Sequence, residues 1–300
     1  MVGPAGLSFR ARGAPLRRVL EMSKQFCLIS LINLISLAAA SAFGCHVSRM
    51  LIDDPLTGPS ELPRFIDVPA YDLEDARAHF GSVRPPVKGL GACSDGGRTA
   101  LVDGELRARF PANGLGGWET GFSFFVDIPP QRAVTMEYDV WFDPGFNWTM
   151  GGKLPGLCGG QCPRGCASVG ADDGFSARLM WHRRGGLITY AYHLGKTKHC
   201  GDVWPWALPE PLQPGRWYTL RHGVLVNSPG AADGEDHAWL DDVKVHERRG
   251  IVWQGGNATI DKVYMTTYTG GSSDRFRAPR DQEIRFRAVR VWTGLGPAPV

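Results

Sequence analysis

Long hydrophobic runs are nearly missing from this chain of 300 residues, and what the sequence lacks narrows what it is. One apolar stretch, residues 26 to 44, is long enough to cross or enter a bilayer. No second stretch is long enough to span a bilayer as a helix. Charge of one sign is scarce too: 33 Lys and Arg against 30 Asp and Glu leave a formal net charge of +3, too small and too scattered for a nucleic-acid binder. The chain has no internal repeat, no sustained low-complexity tract, few helix-period segments and no acidic loop of the kind that holds calcium. No metal and no cofactor are therefore expected.

Turn formers and short strand-like runs are abundant instead. With 39 glycines and 22 prolines, the chain is punctuated often, and the segments between are short and rich in aromatic and β-branched residues, as a β-sandwich requires. Strand-like runs are expected over 104–110, 121–126, 134–142, 175–181, 187–193, 217–226, 237–245 and 284–292, with one short helix at 71–80. In 134–142 the even positions are apolar and the odd ones mostly polar, the mark of a half-buried antiparallel strand. Asp241-Asp242 suggests a hairpin turn. All-β is the fold class, with one large domain simpler than two small ones.

The apolar stretch ends in Ala40-Ser41-Ala42, which fits signal-peptidase cleavage before Phe43, with Met22 as an alternative start. Residues 1–44 are read as a signal peptide or N-terminal targeting segment, 45–98 as an N-terminal extension and start of the domain, and 99–300 as the main domain. The protein is expected to be secreted, or tethered to a membrane if the segment is an uncleaved anchor. Cleavage removes Cys27 and leaves Cys45, Cys93, Cys158, Cys162, Cys166 and Cys200, an even set that favours disulfides in an oxidising compartment, with pairing open. The rival reading is zinc, since Cys158, Cys162 and Cys166 recur every fourth residue with His199 and Cys200 downstream. Structural zinc sites more often use tighter Cys-x-x-Cys pairs. Two sequons, at Asn147 and Asn257, suit glycosylation, and Asn257 is the better acceptor because a glycan at Asn147 would crowd the nearby Lys153.

The chemistry concentrates between residues 151 and 206. Side chains alternate along a strand, so Ser176 and Arg178 project together while Phe175, Ala177 and Leu179 project into a core. Tyr190 and Tyr192 are paired in the same way. Arg183-Arg184-Gly185-Gly186 reads as the hairpin turn joining the two strands. A lone Ser-x-Arg or Tyr-x-Tyr pair is usually an ordinary exposed sheet face, and Lys153 among glycines an ordinary loop residue; the ordered combination is what points to a site. Trp204 and Trp206 are candidates for stacking on sugar rings, although a Trp-Pro-Trp loop more often packs on its own domain. His193, by alternation, faces away from Tyr192.

Gly-Gly-Lys-Leu-Pro-Gly at 151–156, the stretch 175–181 and the Tyr-Ala-Tyr at 190–192 together resemble polysaccharide lyase family 14, over roughly residues 100 to 293. The run Tyr268 to Asp274 and the strand from Ile284 to Trp292 look like family segments as well. The resemblance implies a jelly-roll sandwich of two antiparallel sheets with a concave groove for an acidic polysaccharide such as alginate or glucuronan. It also implies that Lys153, Ser176, Arg178, Tyr190 and Tyr192 fall on functional positions. Chemically, Arg178 suits a uronate carboxylate. One tyrosine would protonate the leaving oxygen while the other tyrosine or Lys153 takes the C5 proton, and Ser176 would bind the sugar. Two other classes compete. A lectin-like jelly roll would use the same residues to bind without cutting, and a glycoside hydrolase would need paired carboxylates, for which Glu137 and Asp139 share a strand face. Oligomeric state is not legible.

Overall fold

Period-two alternation turns into sixteen strands in the computed structural model, which describes residues 71–90, 98–257 and 259–298 together with two three-residue strands near the N-terminus. In chain order these are β1 (Val47–Arg49), β2 (Ile66–Val68), β3 (Val83–Lys88), β4 (Thr99–Val102), β5 (Glu105–Phe110), β6 (Phe122–Gln131), β7 (Ala133–Phe142) and β8 (Gly151–Gly160). They continue with β9 (Gly174–His182), β10 (Gly186–Tyr192), β11 (Asp202–Pro205), β12 (Trp217–Leu225), β13 (Gly234–Leu240), β14 (Val243–Ile251), β15 (Ile260–Thr269) and β16 (Gln282–Thr293). Helix α1 (Leu73–Phe80) opens on Asp72, whose carboxylate accepts from the amides of Glu74 and Asp75 in a capping box. A four-residue helix α2 (Gly116–Glu119) lies between β5 and β6. The targeting segment 1–44, Cys45 and Cys93 lie outside the described residues.

Two seven-stranded antiparallel sheets form the body. The first runs β11-β10-β9-β8-β15-β6-β3 and the second β14-β13-β12-β7-β16-β5-β4, a jelly-roll sandwich as the resemblance implied. Within the stretch 45–98, β3 joins this architecture and closes the edge of the first sheet against β6. The even residues of β7, Val134, Met136, Tyr138, Val140 and Phe142, all enter the core, and so do Phe175, Ala177, Leu179 and Trp181 of β9. Each large apolar side chain so buried contributes roughly 1.5–3 kcal/mol. The two expected turns are present: Arg184 and Gly185 have φ of 59° and 80°, and Asp241 and Asp242 have φ of 48° and 64°.

Sequence reading missed β8 and β15. The glycines that make 151–156 look like a loop are there because neighbours leave no room: a Cβ on Gly152 would lie 2.0 Å from the Trp181 ring, and one on Gly156 would lie 2.3 Å from the Ala177 carbonyl. Pro155 is the extra residue of a bulge, with Leu154 opposite Leu179 and Gly156 opposite Arg178. The bulge shifts the alternation, so that both Leu154 and Leu157 point into the core while Lys153 faces outward.

A buried carboxylate ties the two sheets together. Asp236 on β13 is fully buried and accepts from Thr189 of β10 at 2.8 Å, with His222 at 2.7 Å and His246 at 3.1 Å on its oxygens. Although burial opposes its charge, the two histidines hold its carboxyl well below the usual range.

Candidate active site

Strand register brings the candidate residues together on the face of the first sheet that points away from the second. Across β9 and β10, Tyr190 stands opposite Arg178 and Tyr192 opposite Ser176. On the other side of β9, Lys153 pairs with Met180 and Gly156 with Arg178. From β15 come two phenols the sequence did not single out as site residues: Tyr268 opposite Lys153 and Tyr264 opposite Gly156. Period-two spacing of Tyr264, Thr266 and Tyr268 was the available signal, but without the register of β15 nothing linked it to residues a hundred positions earlier.

Arg178 forms the floor. It is 1% exposed, and its one hydrogen bond among the described residues is to the Tyr268 hydroxyl at 3.4 Å, while its Nε has no partner. Its guanidinium lies 5.2 Å from the Tyr264 ring, 5.8 Å from Tyr190 and 5.9 Å from Tyr192. No carboxylate among the described residues pairs with it or with Lys153, both of which are buried. Burial works against its charge, but Tyr268, Tyr264 and Tyr192 outweigh that, and the guanidinium stays protonated.

Lys153 is held differently. Its Nζ sits 3.7 Å from the centroid of the Tyr190 ring and 2.7 Å from the Met180 sulfur. Burial and then the nearby Arg178 charge push its pKa well below that of an ordinary lysine. An amine so placed is neutral over a range where a surface lysine is charged, and can accept a proton. Tyr190 moves in the opposite direction: burial, then Tyr192, raise its pKa to about 12, so it keeps its proton. An amine with a depressed pKa beside a phenol that keeps its proton is a pairing suited to general acid–base chemistry.

Two loops fix the phenols by backbone donors. The Cys166 amide donates to the Tyr192 oxygen at 2.9 Å, and the Gly201 amide donates to the Tyr190 oxygen at 3.0 Å. A Cys166–Cys200 disulfide ties these loops together, and Cys158–Cys162 pins the loop after β8. The zinc reading is thereby displaced: Cys166, His199 and Cys200 do cluster, but sulfurs joined in disulfides are not the thiolates zinc takes.

Three expectations need correction. Ser176 is fully buried and its hydroxyl donates to the Pro163 carbonyl at 2.7 Å, so it anchors the 161–173 loop instead of presenting a free hydroxyl to sugar. Trp204 and Trp206 belong to the core cluster, and the Trp206 indole donates to Thr189 at 3.1 Å. Trp204 pairs with Thr189, and the alternation that turns Tyr190 outward turns both inward. Glu137 and Asp139 lie on the second sheet, bonded to Arg221 and Arg287, remote in topology from the phenols, which leaves the hydrolase reading without its acid pair. His193 behaves as expected, buried against Asp202 at 3.0 Å.

Fold and site define a jelly-roll β-sandwich with a cationic, phenol-lined face, and solved alginate lyases share this fold. The enzyme Aly36B superposes with a TM-score of 0.66 at 21% identity, covering 82% of this chain and 98% of that one. The family-14 alginate lyase of Aplysia kurodai gives 0.63 at 19% identity over 75% and 98%, and alginate lyase vAL-1 from Chlorella virus gives 0.57 at 22% over 67% and 96%. No curated protein sequence matches the chain. The family itself is settled by the sequence model of polysaccharide lyase 14, which matches residues 105–289: the chain belongs to that family and is a polysaccharide lyase.

Proposed function

We propose that the protein is a secreted lyase that cleaves a uronate polymer of alginate or glucuronan type by β-elimination. The observation that carries this reading is the buried Arg178 with an unpaired Nε and no carboxylate partner among the described residues. An uncompensated buried cation is costly unless a ligand supplies the counter-charge, and a uronate carboxylate fits a guanidinium with two parallel hydrogen bonds. The alginate lyases that share the fold support the substrate class.

In the proposed reaction the carboxylate binds Arg178, with Tyr268 steadying the guanidinium. The neutral Lys153 amine takes the C5 proton and becomes ammonium beside the charge that develops on the carboxylate. The C5 electron pair forms the C4=C5 double bond as the C4–O bond breaks, and a phenol from Tyr190 or Tyr192 gives its proton to the departing oxygen. Tyr190 is available as donor because burial, with Tyr192 beside it, holds its pKa up to about 12 and keeps the phenol protonated. The two disulfides suit an oxidising compartment, in keeping with secretion directed by residues 1–44.

The test is an assay on polymannuronate, polyguluronate, glucuronan and a neutral glucan, following both ultraviolet absorbance of unsaturated ends and total reducing ends. Unsaturated product from a uronate polymer is expected. Binding without product would replace this reading with the lectin-like one, and reducing ends without absorbance would mean hydrolysis.

A further inference from the structure

A second cation–aromatic pair stands at the far edge of the same face, and nothing in the reaction above uses it. Trp118 on α2 is 76% exposed, far more than any other large hydrophobic among the described residues. The ammonium of Lys88, the last residue of β3, lies 3.9 Å from the centroid of its ring. One indole face therefore carries a positive charge while the other is open to solvent.

The pair is joined to the site by packing. Gly117 is wedged between the two regions: a Cβ there would lie 3.2 Å from the Tyr268 ring and 3.6 Å from the Lys88 stem. Tyr268 in turn bonds Arg178. Along the sheet, Lys88 stands opposite Ser123 on β6, and the Ser123 hydroxyl lies 3.3 Å from that of Tyr264. The neighbouring carboxylate is occupied, since Glu119 accepts from the Leu115 amide at 2.9 Å and from Arg277 at 3.2 Å. No carboxylate among the described residues pairs with Lys88. Burial and then Arg164 lower its pKa, as befits a cation with no counter-ion.

We infer that Trp118 and Lys88 form a distal uronate subsite, in which the open indole face stacks on a pyranose ring and the ammonium behind the indole attracts that ring's carboxylate. The inference deepens the proposed function and rests on it. Sheet order sets β3 four strands from β9, about 19 Å at the usual strand spacing. A polymer crossing the strands from Arg178 toward the β3 edge spans that length, whereas a trisaccharide held at Arg178 falls short of it. The subsite thus selects long acidic chains over short ones.

The experiment compares kcat/KM on uronate polymer and on its trisaccharide for the wild type, Trp118→Ala, Trp118→Phe and Lys88→Glu, alongside polymer binding measured by affinity electrophoresis. The polymer-to-trisaccharide ratio is expected to fall about tenfold in Trp118→Ala and further in Lys88→Glu, through KM, with Trp118→Phe recovering most of it. A ratio equal to wild type in Trp118→Ala and Lys88→Glu overturns the subsite. Should the wild type bind polymer without forming unsaturated product, a tenfold binding loss in Trp118→Ala still supports the subsite while elimination fails. Equal binding by wild type and both variants overturns it in that case too.

Discussion

The outward face of the second sheet and the phenol-lined groove of the first treat their cations in opposite ways. On the second sheet, cations are matched: Arg221 bonds Glu137 at 2.7 Å and Asp242 at 2.6 Å, Arg285 reaches Glu283 and Glu105, and Arg287 reaches Asp139 at 3.0 Å. Tryptophans on that face are capped by the same arginines, Trp141 by Arg285 at 4.2 Å and Trp217 by Arg287 at 4.0 Å. On the first sheet, Lys88, Lys153 and Arg178 meet phenols and indole but no carboxylate among the described residues. Both faces are rich in basic and aromatic residues, so composition does not separate them. What separates them is whether the acid is supplied by the protein or left for a ligand. The matched face is stable by itself; the groove around Arg178 carries electrostatic strain that an acidic sugar relieves.

Substitutions on the two faces should therefore fail in different ways. Arg178→Ala and Lys153→Ala are each expected to lower kcat/KM by about 10³-fold while circular dichroism stays native, since a charge-stabilising group or a general base each supplies that order of acceleration. A double Tyr190→Phe, Tyr192→Phe variant should lose most activity likewise. Activity near wild type in any of these removes that residue from the mechanism. On the other face, Glu137→Ala leaves the nearly buried Arg221 short of a partner and should cost about 3 kcal/mol in a denaturant titration with kcat unchanged; a loss of kcat without loss of stability would erase the distinction.

Lys153→Met sharpens the contrast further. Burial depresses the folded-state pKa of Lys153, so the unfolded chain binds more protons, and the lysine subtracts stability below its ordinary value of 10.5. Replacing it should raise stability by roughly 1–2 kcal/mol at neutral pH while abolishing elimination. The gain should shrink as pH rises toward 10.5, and a gain independent of pH would mean that the charge is not its source.

A smaller effect is expected from the Cys166→Ser, Cys200→Ser double variant. It frees the loops whose amides hold Tyr192 and Tyr190, and should lower kcat about tenfold, the order seen when a positioned hydrogen bond is loosened. Because Tyr190 is the proposed acid, the alkaline limb of the kcat profile should move with it. An unmoved limb would make the disulfide purely structural. In the wild type, activity should appear as pH rises through the depressed pKa of Lys153 and fall only as Tyr190 ionises toward about 12; an optimum on the acid side would reverse the roles assigned to them.

Much of this was legible before any coordinates. Alternation located β7, β9 and β10, and the two hairpin turns, because a half-buried strand writes its two faces into every second residue. The Lys153, Arg178, Tyr190 and Tyr192 set was legible as a combination, and the register places it on one face. In sequence β8 looks like a loop because its glycines mark tight packing against Trp181 and β9, a feature of the partner strands and not of the segment itself. The direction of Trp204 and Trp206 is not legible in sequence because a short edge strand next to proline gives too few residues for its phase to show, and only pairing with β10 fixes which way they point. The carboxylates that looked available at Glu137 and Asp139 were already engaged by arginines more than 80 positions away.

By itself, then, the sequence determined the secondary-structure class, the inward side of each long strand and the residue types able to handle a uronate, since these depend on local periodicity and side-chain chemistry. Tertiary structure alone decided which cations remain without a counter-charge, that Tyr264 and Tyr268 join the site, that Ser176 holds a loop, and that Trp118 and Lys88 extend the face. Those outcomes depend on strand register and on who lies opposite whom, which no single stretch of chain encodes.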